Sequence, residues 1–307
     1  MMQIINDEKG AGIRMKKEHA GLIEPIELKE RFFLHYGVRH PEYYYFHAHQ
    51  GMELLLIHQG QGQIVIGDKL EHVGSGSLML FQPYQLHRIH MSAGFSYERS
   101  VLLFDPSTLD AKLESFPALQ RFFRMLWRSE LPAQHYSLGE LEREARLALM
   151  HGDQAIQAAD ADRRLEEMTL TAISLLQLIR RVFPADASDM DYFSQIPRTM
   201  GYTEKAIQWI EAHFTEEFQL ARLAEELYVS PSHVSRLFHQ ETGATLTEFI
   251  TARRLREACL LLAATKLSVR EISLRVGLAN VPYFGKLFRR NLGMTPLQYR
   301  NSRSSSV

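Results

Sequence analysis

Cysteine is nearly absent from this 307-residue chain, where Cys259 stands alone. One thiol closes no internal disulfide, so no cystine framework holds the fold, and a reducing compartment, the cytoplasm, is expected. Long apolar runs are missing too. No stretch approaches the roughly 18 apolar residues of a membrane span. The first residues carry Asp7, Glu8, Lys9, Lys16 and Lys17 and lack the apolar run of a secretory leader. A membrane is therefore not expected as a partner. Net charge is also scarce, with 35 Lys and Arg against 36 Asp and Glu. The balance is uneven along the chain. From Ser230 onward 12 bases face 4 acids, so the body before it is acidic and the tail basic. That asymmetry suits a chain in which one part meets a polyanion.

What is present is a repeat. Arg236–Ile250 (RLFHQETGATLTEFI) returns fifty residues later as Lys286–Arg300 (KLFRRNLGMTPLQYR). Leu237, Phe238, Gly243, Thr245 and Phe249 correspond to Leu287, Phe288, Gly293, Thr295 and Tyr299, and a base opens each copy. An internal repeat names the unit a chain is built from.

The length allows two or three domains at ~150 residues each. Residues 1–29 show little periodicity and are expected to form an N-terminal arm. Residues 30–110 are strand-like. Glu53-Leu-Leu-Leu-Ile-His58 and Gln63-Ile-Val-Ile66 are short and apolar, and they are bounded by Gly60-Gln-Gly62, Gly67-Asp68 and Gly74-Ser-Gly76. This predicts a small antiparallel sandwich or barrel with a hairpin tip at Gly67-Asp68. After Pro106 the period lengthens to 3.6, and residues 111–183 read as helices over Phe116–Arg128, Leu138–Met150 and Asp160–Phe183, the last stopped by Pro184. In that helix Leu165, Met168, Ala172, Leu175, Ile179 and Val182 step by three and four. Such a stripe faces either its own domain's core or a second copy in a homodimer. Residues 184–201, with two Pro and scattered Asp, Ser and Gly, predict a linker. The class expected is an α+β multidomain chain ending in an all-α domain over 202–307.

In that last domain Thr203–Phe214 leads in, and two compact units follow. The first has a helix over Leu220–Leu227, a turn at Tyr228-Val229, and a helix capped by Ser230 with Pro231 in its first turn. The second has Val269–Val276, a turn at Gly277-Leu278, and a helix capped by Asn280. Leu246–Ala264 is a long helix between them. With Val234, Leu237 and Phe238 inward, and likewise Phe284, Leu287 and Phe288, a polar face remains on each second helix. Helix-turn-helix units place that helix in the major groove. Ser232, Ser235 and Arg236, with Asn280, Tyr283 and Lys286, supply donors for base edges of double-stranded DNA. Arg289, Arg290, Arg253, Arg254 and Arg256 are expected at phosphates or in solvent. If the first turn requires a positive φ, Tyr228 is strained there.

The tail Gly277–Arg300 (GLANVPYFGKLFRRNLGMTPLQYR) resembles the signature of AraC-type transcriptional regulators. Leu278 replaces a usual Phe, Gly285 a frequent Ser, and Lys286 stands where Arg is common. The resemblance covers residues ~203–303. It implies two helix-turn-helix units joined by a long helix, contact with RNA polymerase, and more often activation than repression.

A second concentration lies upstream. His47 and His49, two residues apart, share a face of an extended segment. With Glu53 and His87 they offer three nitrogens and one carboxylate, a set suited to a divalent transition metal. His47, His49, Glu53 and Gly60 resemble the first cupin motif. Gly76, Pro83 and His87 match the second more loosely, without its later Asn. The resemblance implies a cupin-like barrel over about 30–105, which in AraC-type regulators usually serves as an effector pocket. Three roles stay open for the four residues: binding a small effector, commonly a sugar; holding a divalent metal, although no cofactor is required; or satisfying one another inside the barrel. The aromatic run Tyr43-Tyr44-Tyr45-Phe46 suits a sugar face. The function expected is a sequence-specific DNA-binding regulator, not an enzyme, controlled by a small molecule. The alternative is a cupin metalloenzyme with an appended helical domain.

Overall fold

The computed structural model describes residues 32–39, 47–67, 69–92, 96–183 and 195–304. The N-terminal arm, Tyr43–Phe46, Asp68 of the hairpin tip and residues 184–194 of the linker lie outside these.

Among the described residues, eight strands form two antiparallel sheets. β1 (Phe32–Val38), β7 (Glu98–Phe104), β2 (Met52–Gln59), β5 (Ser77–Phe81) and β8 (His135–Ser137) lie side by side in that order. β4 (Lys69–Gly74), β3 (Gln61–Ile66) and β6 (His87–Met91) make the second sheet. β2 and β5 are buried along nearly their whole length, which explains why they read as apolar runs rather than alternations. Alternate residues go to different cores. Leu55, Ile57, Met79 and Phe81 fill the space between the sheets with Ile64, Ile66 and Met91. Leu54, Leu56, Leu78 and Leu80 face a layer of helices.

Those helices are α1 (Pro106–Lys112), α2 (Pro117–Arg128), α3 (Glu142–Ala158) and α4 (Ala161–Val182). The stripe on α4 is used here. Met168, Ala172, Leu175 and Ile179 are buried against β-sheet and helix residues of the same chain, and Leu165 and Val182 pack beside them. Of the two expected alternatives, the stripe here faces its own domain's core. The second predicted helix also moves: Gly139 at φ 52° breaks the start at Leu138, and α3 runs from Glu142 to Ala158.

The remaining helices among the described residues are α5 (Tyr202–His213), α6 (Leu220–Glu226), α7 (Pro231–Thr242), α8 (Leu246–Ala264), α9 (Val269–Arg275), α10 (Val281–Leu292) and α11 (Pro296–Ser304). Their boundaries follow from local chemistry. Ser230 and Asn280 cap α7 and α10, accepting from the His233 and Tyr283 amides. Thr245 with Glu248, and Ser268 with Glu271, form reciprocal capping boxes. The repeated Gly-x-Thr is punctuation. Gly243 and Gly293 end their helices at φ 73° and 72°. Thr245 and Thr295 then start the next ones, Thr295 pairing with Gln298. The repeated aromatics meet edge-on, Phe238 with Phe249 and Phe288 with Tyr299.

Candidate DNA-reading face and buried histidine cluster

The two units share one frame. Val234 and Phe238 are buried under α7, and Phe284 and Phe288 under α10. On α7, Ser232 and Arg236 are exposed and Ser235 is half-buried; on α10, Tyr283, Lys286, Arg289 and Arg290 are exposed. Asn280 is exposed too, and its amide oxygen accepts from the Tyr283 N–H at 2.9 Å. Both turns enter the left-handed region, Tyr228 at φ 57° and Gly277 at φ 74°. Tyr228 thus adopts the strained conformation its position predicted. Gly277 has no such freedom to vary, because a Cβ there would collide with the Thr215 carbonyl.

Two of the interior arginines are structural rather than phosphate contacts. Arg253 pairs with Glu211 at 2.7 Å and Glu257 at 3.0 Å and lies over the Phe214 ring. Arg254 donates to the Phe214 and Glu216 carbonyls at 2.6 and 2.5 Å, closing the end of α5. Charge count alone does not distinguish such residues from Arg289 and Arg290; the signal is their place on the long central helix, which must pack on both units. Arg256 is half-buried on the same helix.

The histidine cluster forms where two segments cross the end of β2. His47 and His87 exchange backbone hydrogen bonds of 3.0 Å, and the Tyr84 N–H donates to the His49 carbonyl at 2.7 Å. Gly51 lets the first segment lie on β7, since a Cβ would stand 2.8 Å from the Phe104 carbonyl. Glu53 sits on β2 between β5 and β7. One side-chain N or O atom from each of His47, His49, Glu53 and His87 lies within 4.8 Å of the others. His49, Glu53 and His87 are buried and His47 is half-buried.

The polar geometry orients these groups. The His49 Nε2 is 2.5 Å from a Glu53 oxygen, and its Nδ1 is 2.9 Å from the Gly51 carbonyl. His87 donates from Nδ1 to the Gln85 carbonyl at 2.8 Å. Its Nε2 is buried without a hydrogen-bond partner among the described residues, 3.9 Å from Glu53. Burial pushes the His87 pKa well below the ordinary value, and the charge of His47 adds to this. Its ring is therefore neutral, with the Nε2 lone pair facing the cluster. Burial would raise the Glu53 carboxyl, but the hydrogen bond and charge of His49 outweigh it and hold it down at about 2. The Phe81 ring stacks on His87 at 3.8 Å. Beyond the cluster, buried apolar residues lie between the sheets, among them Leu55, Ile57, Met79, Phe81 and Tyr97.

Sequence patterning missed what lies on the other side of these segments. Ala48, Leu86 and Tyr84 belong to the apolar cluster of α5, α6 and α7, with Ala206, Ile207, Trp209 and Ile210. Glu204 accepts from the Leu86 N–H at 3.2 Å and pairs with Arg198 at 2.6 Å. Arg198 also donates to the Pro83 carbonyl at 2.8 Å. The only hint in the sequence was the odd apolar residue between His47 and His49 and before His87.

A β-rich domain with a buried polar cluster, followed by paired helix-turn-helix units with exposed basic faces, defines the class of ligand-binding, DNA-binding regulators. A family model described as AraC-like ligand binding domain matches residues 33–173, and one described as Helix-turn-helix domain matches 223–302. The chain belongs to the AraC-type transcriptional regulators. It is 27% identical to the Arabinose operon regulatory protein of Escherichia coli (strain K12), over 82% of this chain and 80% of that one. It is 22% identical to the HTH-type transcriptional activator RhaR of Mannheimia succiniciproducens, over 90% and 92%. A match to the Bifunctional transcriptional activator/DNA repair enzyme AdaA of Bacillus subtilis is 38% identical but covers 30% of this chain and 44% of that one. The chain is therefore a DNA-binding transcriptional regulator with a ligand-binding domain. Among the described residues no helix is long and apolar enough to cross a membrane.

Proposed function

We propose that the protein is a transcriptional activator that reads DNA with α7 and α10 and answers to a small-molecule effector bound in its β-rich domain. It works as a homodimer that contacts RNA polymerase. The observation that carries the DNA reading is the matched pair of exposed faces on one packing frame. Ser232, Ser235 and Arg236 face one groove segment, and Asn280, Tyr283 and Lys286 the next. Arg289 and Arg290 hold phosphates. A relative named for the arabinose operon makes sugars the first effector class to try. The decisive experiment is a gel shift on DNA upstream of the chain's own and adjoining genes, repeated with a panel of sugars. A cognate fragment held tightly, with affinity or spacing preference changed by one sugar, is the expected result. No discrimination between cognate and scrambled DNA would sink the reading.

For the histidine cluster we propose a bound divalent transition metal ion. Its support is the close approach of four donor groups around the buried Nε2 of His87. The carbonyls of Gly51 and Gln85 fix the rings of His49 and His87 from behind, the arrangement typical of metal-ligating histidines. Glu53 is ionised and His87 neutral, as donors must be. A bound ion would supply positive charge that ties the two crossing segments to β2. Elemental analysis of the purified protein tests this: about one equivalent of a first-row divalent metal is expected, and none in His87→Ala. Equal content in both would place the ion elsewhere.

A further inference from the structure

The segments that carry the histidines have two sides. In extended backbone, neighbouring side chains point to opposite faces. His47 and His49 turn toward Glu53, while Ala48 between them is buried against the DNA-binding domain. His87 turns toward Glu53, while Leu86 before it is buried in that same cluster. The turn before Leu86 is unusual. Gln82, Pro83, Tyr84 and Gln85 close a turn by a 3.1 Å Gln85 N–H to Gln82 carbonyl bond, with Tyr84 at φ 60°. Glycine favours that third position. Tyrosine is strained there, and its ring packs into the apolar cluster of α5. Burial, then the nearby Glu211 carboxylate, raises its phenol to about 12. Strain retained at a contact between domains points to use of that contact.

Polar groups bolt the same surface. Arg198 and Glu204, with side chains only 9% and 13% exposed, pair with each other. One holds the Pro83 carbonyl and the other the Leu86 amide. Every one of these contacts falls on the first helix-turn-helix unit or the segment leading into it. The second unit has its own core, built from α8, α9 and α10, and among the described residues none of the β-rich domain belongs to it. The reading face of α7 stays exposed while the unit is docked.

We propose that the state of the histidine cluster controls the docking of the first helix-turn-helix unit on the β-rich domain, through the shared backbone of His47–His49 and Pro83–His87. This rests on the metal reading above. With the four side chains drawn to one ion, the backbone presenting Ala48, Tyr84 and Leu86 is fixed and the first unit is held. With the cluster unligated, those segments are freer and the unit detaches. The geometry of the two reading helices relative to the β-rich domain is thus set by ligation. No chain of intermediate residues is needed, because ligand and contact alternate along one backbone.

Coupling of two equilibria is reciprocal, so a change on the DNA-binding side must alter metal affinity. Glu204 is on α5 and is not one of the four clustered residues. The test is cobalt(II) titration of the full chain, followed by visible absorption and by competition with a chelating dye, for wild type, Glu204→Gln and Arg198→Gln. Circular dichroism first checks that each variant keeps its helix content. Both variants are expected to bind cobalt about 5-fold to 150-fold more weakly, the usual span of coupling between sites, with the absorption spectrum of the bound ion unchanged. Wild-type affinity in both folded variants would overturn the docking proposal and leave the metal site standing. No cobalt bound by wild type would remove the metal reading and the proposal with it. Should one variant lose helix content, the other decides.

Discussion

Tyr228 is 94% exposed and sits in the left-handed region where its counterpart in the second unit is Gly277. The exposed ring gains little from packing, so the backbone cost of about 1–2 kcal/mol is largely uncompensated. Tyr228→Gly is therefore expected to leave stability unchanged or raise it by up to about 1 kcal/mol, since glycine also loses more chain entropy on folding. Thermal melting of the two proteins checks this; a drop of more than that size would mean the tyrosine has a packing role. Gly277→Ala is the opposite case. It incurs the left-handed cost and forces a Cβ onto the Thr215 carbonyl, and a loss of at least about 2 kcal/mol is expected. At the reading face, Lys286→Ala should cost about 1–3 kcal/mol of discrimination between cognate and altered sites if it pairs with a base. Equal weakening on cognate and scrambled DNA would assign it to phosphate instead.

At the scale of elements, α4 shows what a periodic pattern can and cannot say. Its three-and-four stepping announced a buried stripe, and Met168, Ala172, Leu175 and Ile179 are buried. The spacing could not say against what, because a stripe meets its own domain or a second copy with the same residues. Ile179 is fully buried in the chain's own core. Ile179→Asp is thus expected to lower the melting temperature sharply, by several kcal/mol for an unpaired buried charge, whatever the oligomeric state. Leu170→Asp on the exposed side of the same helix should leave the melt within about 0.5 kcal/mol of wild type. If instead Ile179→Asp melted normally and only dissociated, the stripe would belong to a dimer after all. Elements with strong local signals were legible: Ser230 and Asn280 marked the starts of α7 and α10, and α8 was expected over the same Leu246–Ala264, whereas α11 was not expected. β8 was not, because a three-residue strand owes its existence to the edge of β5 rather than to its own sequence. The four clustered residues were legible as types at a spacing. Their neighbours Ala48, Leu86 and Glu204 were not, since their meaning lies in which domain they touch.

At the scale of the whole molecule, the basic tail on an acidic body makes DNA binding an electrostatic question, and the structure divides the bases into two kinds. Arg253 and Arg254 are committed inward, to Glu211, Glu257 and the end of α5. Arg236, Lys286, Arg289 and Arg290 are exposed on the reading helices. Only the second kind can release counterions from DNA. Removing one side chain that neutralises a phosphate lowers the slope of log affinity against log salt by about 0.9. The double variant Arg289→Ala with Arg290→Ala should therefore flatten that slope by roughly 2, with its melting temperature kept. Arg253→Ala breaks a largely buried ion pair, so it should cost roughly 2 kcal/mol of stability or more while its folded form keeps the wild-type slope. Gel-shift titrations of the full chain across a range of salt, paired with thermal melts, separate the two outcomes. A flattened slope in Arg253→Ala would show that its pairing with Glu211 and Glu257 opens on DNA. The inward and outward arginines would then be one population rather than two.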